Sequence, residues 1–357
     1  NYNGNGYNTA VGYEAGNDII TGVNNTLIGA LSGDELTLGS DNVAVGLGSL
    51  GKETEHGKNV AVGRSALETL NAGADGFNTA VGYQAGLSAT TGTNSVLVGA
   101  NCGVLLTDGA NNVAMGRSAL GSATTDSNCT AIGYNALGSL NLSGTSYNVG
   151  IGHNAGGAVT TGVETTIVGG LAGDALTTGA GNTVVGYNAL SAEDTGGGNT
   201  AIGRNALTAQ DSGNDAYNTA VGYNAGAANV TGIRNTLIGG LAGDSLLGSY
   251  NTALGMFALS SETGGGKNTA LGYGTLEAQN VNTDAYNVAI GFEAGNDITT
   301  GPYNTLVGGL AGDSLTTGAY NIAVGYNALA TEDDHGRNIA IGTNALTTLD
   351  AGADGYN

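Results

Sequence analysis

One short phrase, Asn-Thr-Ala-Val-Gly, returns with small changes along the whole chain, and this repetition limits the possible folds more than any other feature. If the Asn is position one, the first copies begin at Asn8, Asn25, Asn42, Asn59 and Asn78, so the steps are 17, 17, 17 and 19. This order of steps recurs, with a single step of 16 in the fourth round. Four such turns form one block, and the five blocks are 8–77, 78–147, 148–217, 218–286 and 287–356. A period this short is typical of a solenoid, in which each repeat packs only on its neighbours.

The length of the unit predicts the fold class. This unit is too short for a helix pair or a propeller blade, and it suits one coil of a parallel β-solenoid with two short strands and two bends. Gly supplies 67 of the 357 residues, yet apolar residues keep a fixed position in every unit, which a disordered tract would not maintain. We expect an all-β β-roll whose coils stack about 4.8 Å apart. We expect one continuous array over 1–357, as a segment of a longer protein.

Two columns of the repeat barely vary. Position five is Gly in all twenty turns, which predicts a corner with positive φ or a close backbone approach. Its members in the first turn of each block are Gly12, Gly82, Gly152, Gly222 and Gly291. Position one is Asn in all but three turns, and the column begins with Asn8, Asn25, Asn42, Asn59 and Asn78. Stacked Asn side chains can form an amide ladder, and Asn also suits the bend before a strand, so both roles stay open.

The first strand of each unit is apolar on both sides. Position two is always β-branched and position four is large and apolar, so strand alternation predicts that both face the solenoid core. Position three would then point outward, yet it never carries a polar residue. Because such a strand is buried on both faces, we expect identical chains to cover position three. The expected contact residues are Ala10, Leu27, Ala44, Ala61, Leu97, Ile167, Leu237 and Leu306, the bulky members setting the register between chains.

An aromatic residue precedes the first Asn of each block. The members of this column are Tyr7, Phe77, Tyr147, Tyr217, Tyr286 and Tyr356. Two interpretations remain for it: a stripe of rings that stacks on a receptor, or cover for the extra residues of the longest turn, which is the simpler interpretation.

The charge balance excludes some classes of partner. Formal net charge is −21, with 8 Lys and Arg against 29 Asp and Glu, so a basic surface for nucleic acid is not expected. No run of about 18 apolar residues occurs, and we expect no membrane insertion in this segment. No signal peptide is visible, and the chain does not begin with Met, so the sequence offers no targeting signal to interpret.

Acidic residues in the loops are the remaining candidates for chemistry. Glu53, Glu193, Glu262 and Glu332 share position twelve of a third turn, about 19 Å apart along the array. That separation is too large for an acid–base pair between blocks. Glu53, Glu193, Glu332 and Asp334 are weak candidates for Ca²⁺ ligands, and solvated loops explain them more simply. No phosphate loop, nucleophile elbow or zinc spacing occurs in a suitable context, so we expect no catalytic residue and no cofactor.

The pattern Asn-[Thr/Val]-Ala-[Val/Ile]-Gly resembles the head repeats of trimeric autotransporter adhesins over 8–357. It is also similar to repeats of bacteriophage tail fibres and of large bacterial surface proteins. In the adhesin family the resemblance implies a left-handed parallel β-roll, three chains side by side, and attachment to host or matrix surfaces. The turns here are longer than the usual head repeat, and Tyr often follows the Gly, so handedness and trimer number rest on the resemblance alone.

These features predict a non-enzymatic extracellular fibre or adhesin, a shaft or head on a cell surface or virion that presents a stiff, periodic, acidic surface. Its expected partners are further copies of the chain, as a homotrimer and end to end, and a receptor that the sequence does not name. One alternative is an ice-binding β-solenoid, which would need the Thr residues of position two on the outside. The other is a polysaccharide-depolymerising phage tailspike, which would need an aperiodic carboxylate cluster in a groove.

Overall fold

The computed structural model describes residues 6–349, which form an all-β parallel solenoid with one three-residue strand in each of twenty turns. The chain divides into two compact units, 1–181 and 182–357, with ten strands each. Unit one holds β1 (Thr9–Val11), β2 (Thr26–Ile28), β3 (Val43–Val45), β4 (Val60–Val62), β5 (Thr79–Val81), β6 (Val96–Val98), β7 (Val113–Met115), β8 (Thr130–Ile132), β9 (Val149–Ile151) and β10 (Thr166–Val168). Unit two holds β11 (Thr183–Val185), β12 (Thr200–Ile202), β13 (Thr219–Val221), β14 (Thr236–Ile238), β15 (Thr252–Leu254), β16 (Thr269–Leu271), β17 (Val288–Ile290), β18 (Thr305–Val307), β19 (Ile322–Val324) and β20 (Ile339–Ile341).

Strands that follow one another within a unit pair in parallel, and like repeat positions lie opposite each other. Thr200 pairs with Thr219 across one of the longest turns, and Thr236 pairs with Thr252 across the single shortened turn. The differences in turn length are therefore absorbed in the loops, and every strand keeps its register.

The predicted second strand of each turn is absent from residues 6–349. After the corner Gly the chain makes successive turns, with left-handed residues at positions seven and nine, such as Asn188 at φ 57° and Leu190 at φ 49°. A third left-handed residue precedes each Asn, for example Tyr217 at φ 52°. Left-handed backbone interrupts an extended segment, so only positions two to four remain a strand.

The corner glycines meet both conditions that the sequence suggests. Gly12, Gly82, Gly152, Gly222 and Gly291 have φ between 140° and 146°, a conformation that residues with a Cβ rarely adopt. A Cβ on Gly222 would also lie 2.3 Å from the carbonyl oxygen of Gly239 in the next turn. Successive corners stack so closely that a side chain has no room.

The Asn column is a ladder, but it runs mainly through the main chain. The backbone N–H of Asn25 donates to Oδ1 of Asn8 at 2.8 Å, and Asn42, Asn59 and Asn78 repeat the contact with the Asn one turn before. Nδ2 of Asn25 donates to the carbonyl of Gly39 at 2.9 Å, which closes the turn on itself. The amide therefore joins two turns and fixes its own bend, and only some pairs, such as Asn42 with Asn25, add a bond between side-chain amides.

The predicted orientation of the strand is wrong. Position three faces the interior of its own chain, because Leu27, Ala44, Ala61, Leu97, Ile167, Leu237 and Leu306 are each at most 2% exposed. Ala10, on the first turn, is exposed. A small side chain at position three leaves room for Leu at positions nine and twelve, as Ala61 does for Leu67 and Leu70, all buried. The interior residues cannot contact another chain, and positions two and four form the outside.

Bulky residues at position three serve the core of the same chain. Leu237 lies in the second turn of its block, where position nine is Gly243, and position nine of the turn before is Gly226. A Cβ on Gly226 would lie 2.7 Å from Cδ1 of Leu237, and one on Gly243 would lie 2.9 Å from its Cδ2. One Leu thus fills the space that two glycines leave, and Leu27 occupies the same place between Gly16 and Gly33. This arrangement explains the bulky residue once per block, which does not set register between chains.

Candidate functional site

The outward face, defined as positions two and four of the strands, is a surface that the fold repeats in every turn. Its side chains are Thr, Val, Ile, Leu and Met, without a charged residue in any of the twenty strands. They are exposed or half-buried, with Met115 at 41% and Leu254 at 43%. In a chain of net charge −21, a face without charge repeated over ten strands in each unit is a surface suited to an apolar contact.

Threonine is concentrated on part of this face. Position two is Thr in six consecutive strands of unit two, β11 to β16: Thr183, Thr200, Thr219, Thr236, Thr252 and Thr269. Position four in the same strands is Val, Ile or Leu. The hydroxyl and methyl groups thus form a regular lattice with the strand spacing of about 4.8 Å along the unit.

Most of the cations lie beside aromatic rings. Seven of the eight Lys and Arg side chains stand over a ring, among them Arg204, whose Cζ is 6.0 Å from the ring centres of both Tyr187 and Tyr223. The eighth, Lys52, pairs with Glu35 on the surface. Positive charge is therefore distributed singly along the turns, and no basic patch forms among the described residues.

The periodic glutamates are buried, and this role was not predicted from the sequence. Glu53, Glu193, Glu262 and Glu332 have no exposed surface. Oε1 of Glu193 accepts the N–H of Gly196 at 2.7 Å, and its Oε2 accepts the N–H of Ser212, in the next turn, at 3.2 Å. Each glutamate thus satisfies backbone donors of the loops around it, as buried polar groups require. The sequence contained a signal for this burial, because Leu36, Leu106 and Leu176 occupy position twelve in the second turns.

Block two keeps the carboxylate but moves it further along the turn. Position twelve of its third turn is Ala123, and Asp126 at position fifteen is fully buried instead. Oδ1 of Asp126 accepts the N–H of Leu142 at 2.9 Å, the same loop donor that Glu53 reaches at Ala72 in block one. Burial raises the pKa of the Asp126 carboxyl. The N–H of this loop thus donates to a buried carboxylate in both blocks, which indicates that the carboxylate stabilises the loop.

Two of the weak Ca²⁺ candidates, Glu193 and Glu332, lie in clusters of side chains that could hold a cation. Glu193 lies within 4.8 Å of Asp194 and Asp211, and Glu332 lies within 4.8 Å of Asp333 and His335, whereas Asp334 belongs to neither group. Asp334 accepts hydrogen bonds from the hydroxyls of Thr316 and Thr317. The glutamate oxygens that would bind a cation are already occupied by N–H donors, as described for Glu193. We assign these glutamates to loop stabilisation.

The cysteines occupy ordinary places in the repeat. Cys102 and Cys129 are free and buried. Sγ of Cys102 donates to the carbonyl of Ala114 at 3.1 Å, as the hydroxyl of Ser32 does to Ala44 in the matching turn of block one. Burial raises the pKa of Cys102 to about 12, so its sulfur is a neutral thiol at physiological pH.

A shallow, open groove of about 450 Å³ lies on the loop side of unit one. Its lining comprises Gln84, Asn101, Val104, Ser118, Gly121, Ser122, Asn135 and Gly138. The buried Oδ1 of Asn101 has no hydrogen-bond partner there. The lining contains no acid, base or thiol, so the groove offers no group for acid–base or nucleophilic chemistry.

No protein-family model matches the chain, and no curated protein matches it. Within residues 6–349, no helix is long and apolar enough to cross a membrane. The candidate functional features are therefore those of the structure itself: the outward face, the cation–ring contacts and the buried loop acids.

Proposed function

We propose that the protein is a non-enzymatic segment of an extracellular fibre or adhesin, in which copies of the chain pack side by side through the outward face. The observation that carries this proposal is the absence of charge at positions two and four of all twenty strands, in a chain with 29 acidic residues. An acidic surface elsewhere keeps fibres soluble and apart, so contact is favoured only along this face.

The resemblance to adhesin heads favours three chains, and the corrected strand orientation supplies the surface. The side chains that would meet are Thr, Val and Ile of positions two and four, and the Ala and Leu residues of position three stay inside each chain. Attachment to a cell-surface or matrix receptor, and a location on a bacterial surface or virion, follow from the resemblance and belong to the same proposal.

The proposal is tested by comparing the mass in solution of the parent protein with that of a variant that carries charge on the outward face. Val185→Glu, Ile202→Glu and Val221→Glu, made together, place three carboxylates at position four of neighbouring strands, where a single chain leaves the side chains partly exposed. We expect the parent protein at about three times 34.8 kDa by sedimentation equilibrium, and the variant at the mass of one chain.

The matched control carries the same charge away from the face. Thr195→Glu, Asn214→Glu and Val230→Glu alter exposed loop residues of the same unit and should leave the mass unchanged. A parent protein that is a single chain at all concentrations would overturn the proposal.

Ice binding is a second candidate, because the objection from the sequence no longer holds. Position two lies outside, and six consecutive strands present Thr in a regular column. Association of chains and ice binding would both use the outward face. The parent protein and its triple-Glu variant can therefore distinguish the two functions. Thermal hysteresis from a single-chain protein, lost in the Val185, Ile202 and Val221 variant, would favour ice binding over the fibre.

A further inference from the structure

Three tyrosines of unit two stack directly on one another. Tyr286, Tyr303 and Tyr320 precede the Asn of three consecutive turns and form what we term the tyrosine column. The ring centres of Tyr286 and Tyr303 are 5.6 Å apart with an interplanar angle of 11°, and those of Tyr303 and Tyr320 are 5.0 Å apart at 13°. The rings are therefore nearly parallel and in contact.

The backbone holds the tyrosine column in place. All three residues are left-handed, with φ between 53° and 63°. The N–H of Tyr303 donates to the carbonyl of Ala285 at 2.8 Å, and the N–H of Tyr320 donates to Pro302 at 3.2 Å. The ring spacing is thus set by the turns of the solenoid and persists as long as the turns stay paired.

Cations close both ends of the column. Nζ of Lys267 stands 5.0 Å from the ring centre of Tyr286 and donates to its hydroxyl at 2.9 Å, and Cζ of Arg337 stands 5.7 Å from the ring centre of Tyr320. The ring faces are therefore occupied, and a sugar or aromatic ligand cannot stack on them. About half of each side chain is nevertheless exposed: 45% for Tyr286, 45% for Tyr303 and 53% for Tyr320.

The tyrosine column is not explained by the simpler interpretation above, in which aromatic rings cover the extra residues of the longest turn. Tyr286 ends one of the longest turns, but Tyr303 and Tyr320 each end a turn of the ordinary, shorter length. The corresponding residues in block two are Asn94 and Asn111. The remaining stacked ring pairs of residues 6–349 join Tyr to His or Phe, as in Tyr134 with His153 and Tyr273 with Phe292. Within residues 6–349, two adjacent pairs of stacked tyrosines thus occur only where block four ends and block five begins.

We propose that the tyrosine column is a site of oxidative cross-linking, in which Tyr303 couples to Tyr286 or Tyr320 to form dityrosine within one chain. The oxidant is hydrogen peroxide acting through a peroxidase. It removes one electron and the hydroxyl proton from each of two phenols, and their ortho carbons then join. Each ortho hydrogen moves to its own ring oxygen to restore the phenol. Two tyrosines and one hydrogen peroxide thus give one dityrosine and two waters.

The parallel stack favours this coupling over reaction with a distant ring. Each radical forms beside a second phenol whose ring centre is within 5.6 Å, and half-exposed side chains can tilt until two ortho carbons meet. The new bond would join equivalent positions of neighbouring turns and restrict their separation on unfolding.

The experiment treats the dilute full-length chain with peroxidase and hydrogen peroxide. Dityrosine fluorescence is then measured in the single-chain band of a denaturing gel. We expect fluorescence in that band, and a tryptic peptide 268–337 that is lighter by two hydrogen atoms, with the link mapped to Tyr303 by tandem mass spectrometry.

Tyr303→Phe removes the shared phenol and keeps the ring, so folding is expected to persist. It should reduce single-chain fluorescence to that of unoxidised protein, because Tyr286 and Tyr320 are then two turns apart. The control Tyr326→Phe, a comparably exposed Tyr of the same unit, should leave the yield unchanged. Unchanged coupling in Tyr303→Phe, a link mapped to other tyrosines, or dityrosine confined to bands of linked chains would each overturn the proposal.

Discussion

At the scale of single residues, position five shows how closely the turns approach. Gly222 combines φ 146° with a Cβ position only 2.3 Å from a backbone oxygen of the next turn. Gly213 has φ 66°, but a Cβ there would meet no atom within 4 Å. A side chain at Gly213 would therefore meet only an unfavourable backbone conformation, whereas a side chain at Gly222 would also overlap the next turn.

Gly222→Ala should destabilise the protein far more than Gly213→Ala. We expect about 1 kcal/mol for Gly213→Ala, the cost of a left-handed residue with a side chain. Gly222→Ala should cost about 3 kcal/mol or more, because backbone must move to admit the methyl group. Urea unfolding followed by circular dichroism measures both, and similar losses would contradict the close approach of the corners.

Asp126 is the buried acid whose titration should be visible in stability. Burial raises the pKa of this carboxyl in the folded protein, so its ionisation costs stability once the pH exceeds the ordinary, unfolded value of 3.8, and the cost is complete above the folded pKa. The cost is absent below 3.8, where the group is protonated in both states. Asp126→Asn keeps an oxygen for the N–H of Leu142 and removes the charge.

We therefore expect Asp126→Asn to match the parent protein in acid and to exceed it in stability at neutral pH. The difference in unfolding free energy between the two proteins, measured across the pH range, isolates this group from the other carboxylates. A difference that does not change with pH would show that burial of the charge has no such cost.

At the scale of the single turn, core volume is shared between neighbours. Leu237 at position three fills the space of Gly226 and Gly243. The third and fourth turns instead place Ala at position three, or Val in the case of Val184, and a left-handed Leu at position nine that is buried in every turn except the last. The two arrangements are alternative ways to fill the same narrow interior, at native packing density.

Substitutions that move the large side chain from position three to position nine test whether these positions share one volume. Leu237→Ala should cost about 2–5 kcal/mol by opening a cavity. Gly226→Leu alone should also destabilise, because the new side chain would overlap Leu237. Leu237→Ala, Gly226→Leu and Gly243→Leu together recreate the third-turn pattern and should recover part of the loss. Additive losses in a mutant cycle would show that the three positions do not share one volume.

At the scale of the whole molecule, stability depends on whether the core side chains of each turn are complementary to those of the turns next to it. Within a unit, contacts join consecutive turns, so the natural length of an insertion or deletion is one block. Removing 218–286 joins Tyr217 to Asn287, which have the same phase as Tyr286 and Asn287.

We expect deletion of 218–286 to give a cooperatively folded, shorter protein with an unchanged β spectrum. Deletion of 235–250, only one turn, should be more destabilising because it removes Leu237 and leaves Gly226 without the side chain that fills its space. Thermal unfolding of both variants provides the comparison. A block deletion that fails to fold while the single-turn deletion folds would contradict block-wise packing.

The sequence alone was sufficient to predict the parallel solenoid, its twenty turns, the corner glycines and the Asn column. Each of these depends on residues that recur at the same position in every unit. The sequence could not show which face of the strand is inside, because positions two, three and four are all uncharged and position two is a β-branched residue that suits either face. Alternation defines two faces without saying which one is enclosed. Left-handed residues before the Asn and at positions seven and nine bend the chain to one side, and that closure decides that Ala44 is inside and Val45 outside. The same closure decides that Glu193 is enclosed beside loop N–H groups and that Tyr303 stacks between two tyrosines, because only the stacking of turns brings residues of neighbouring turns into contact.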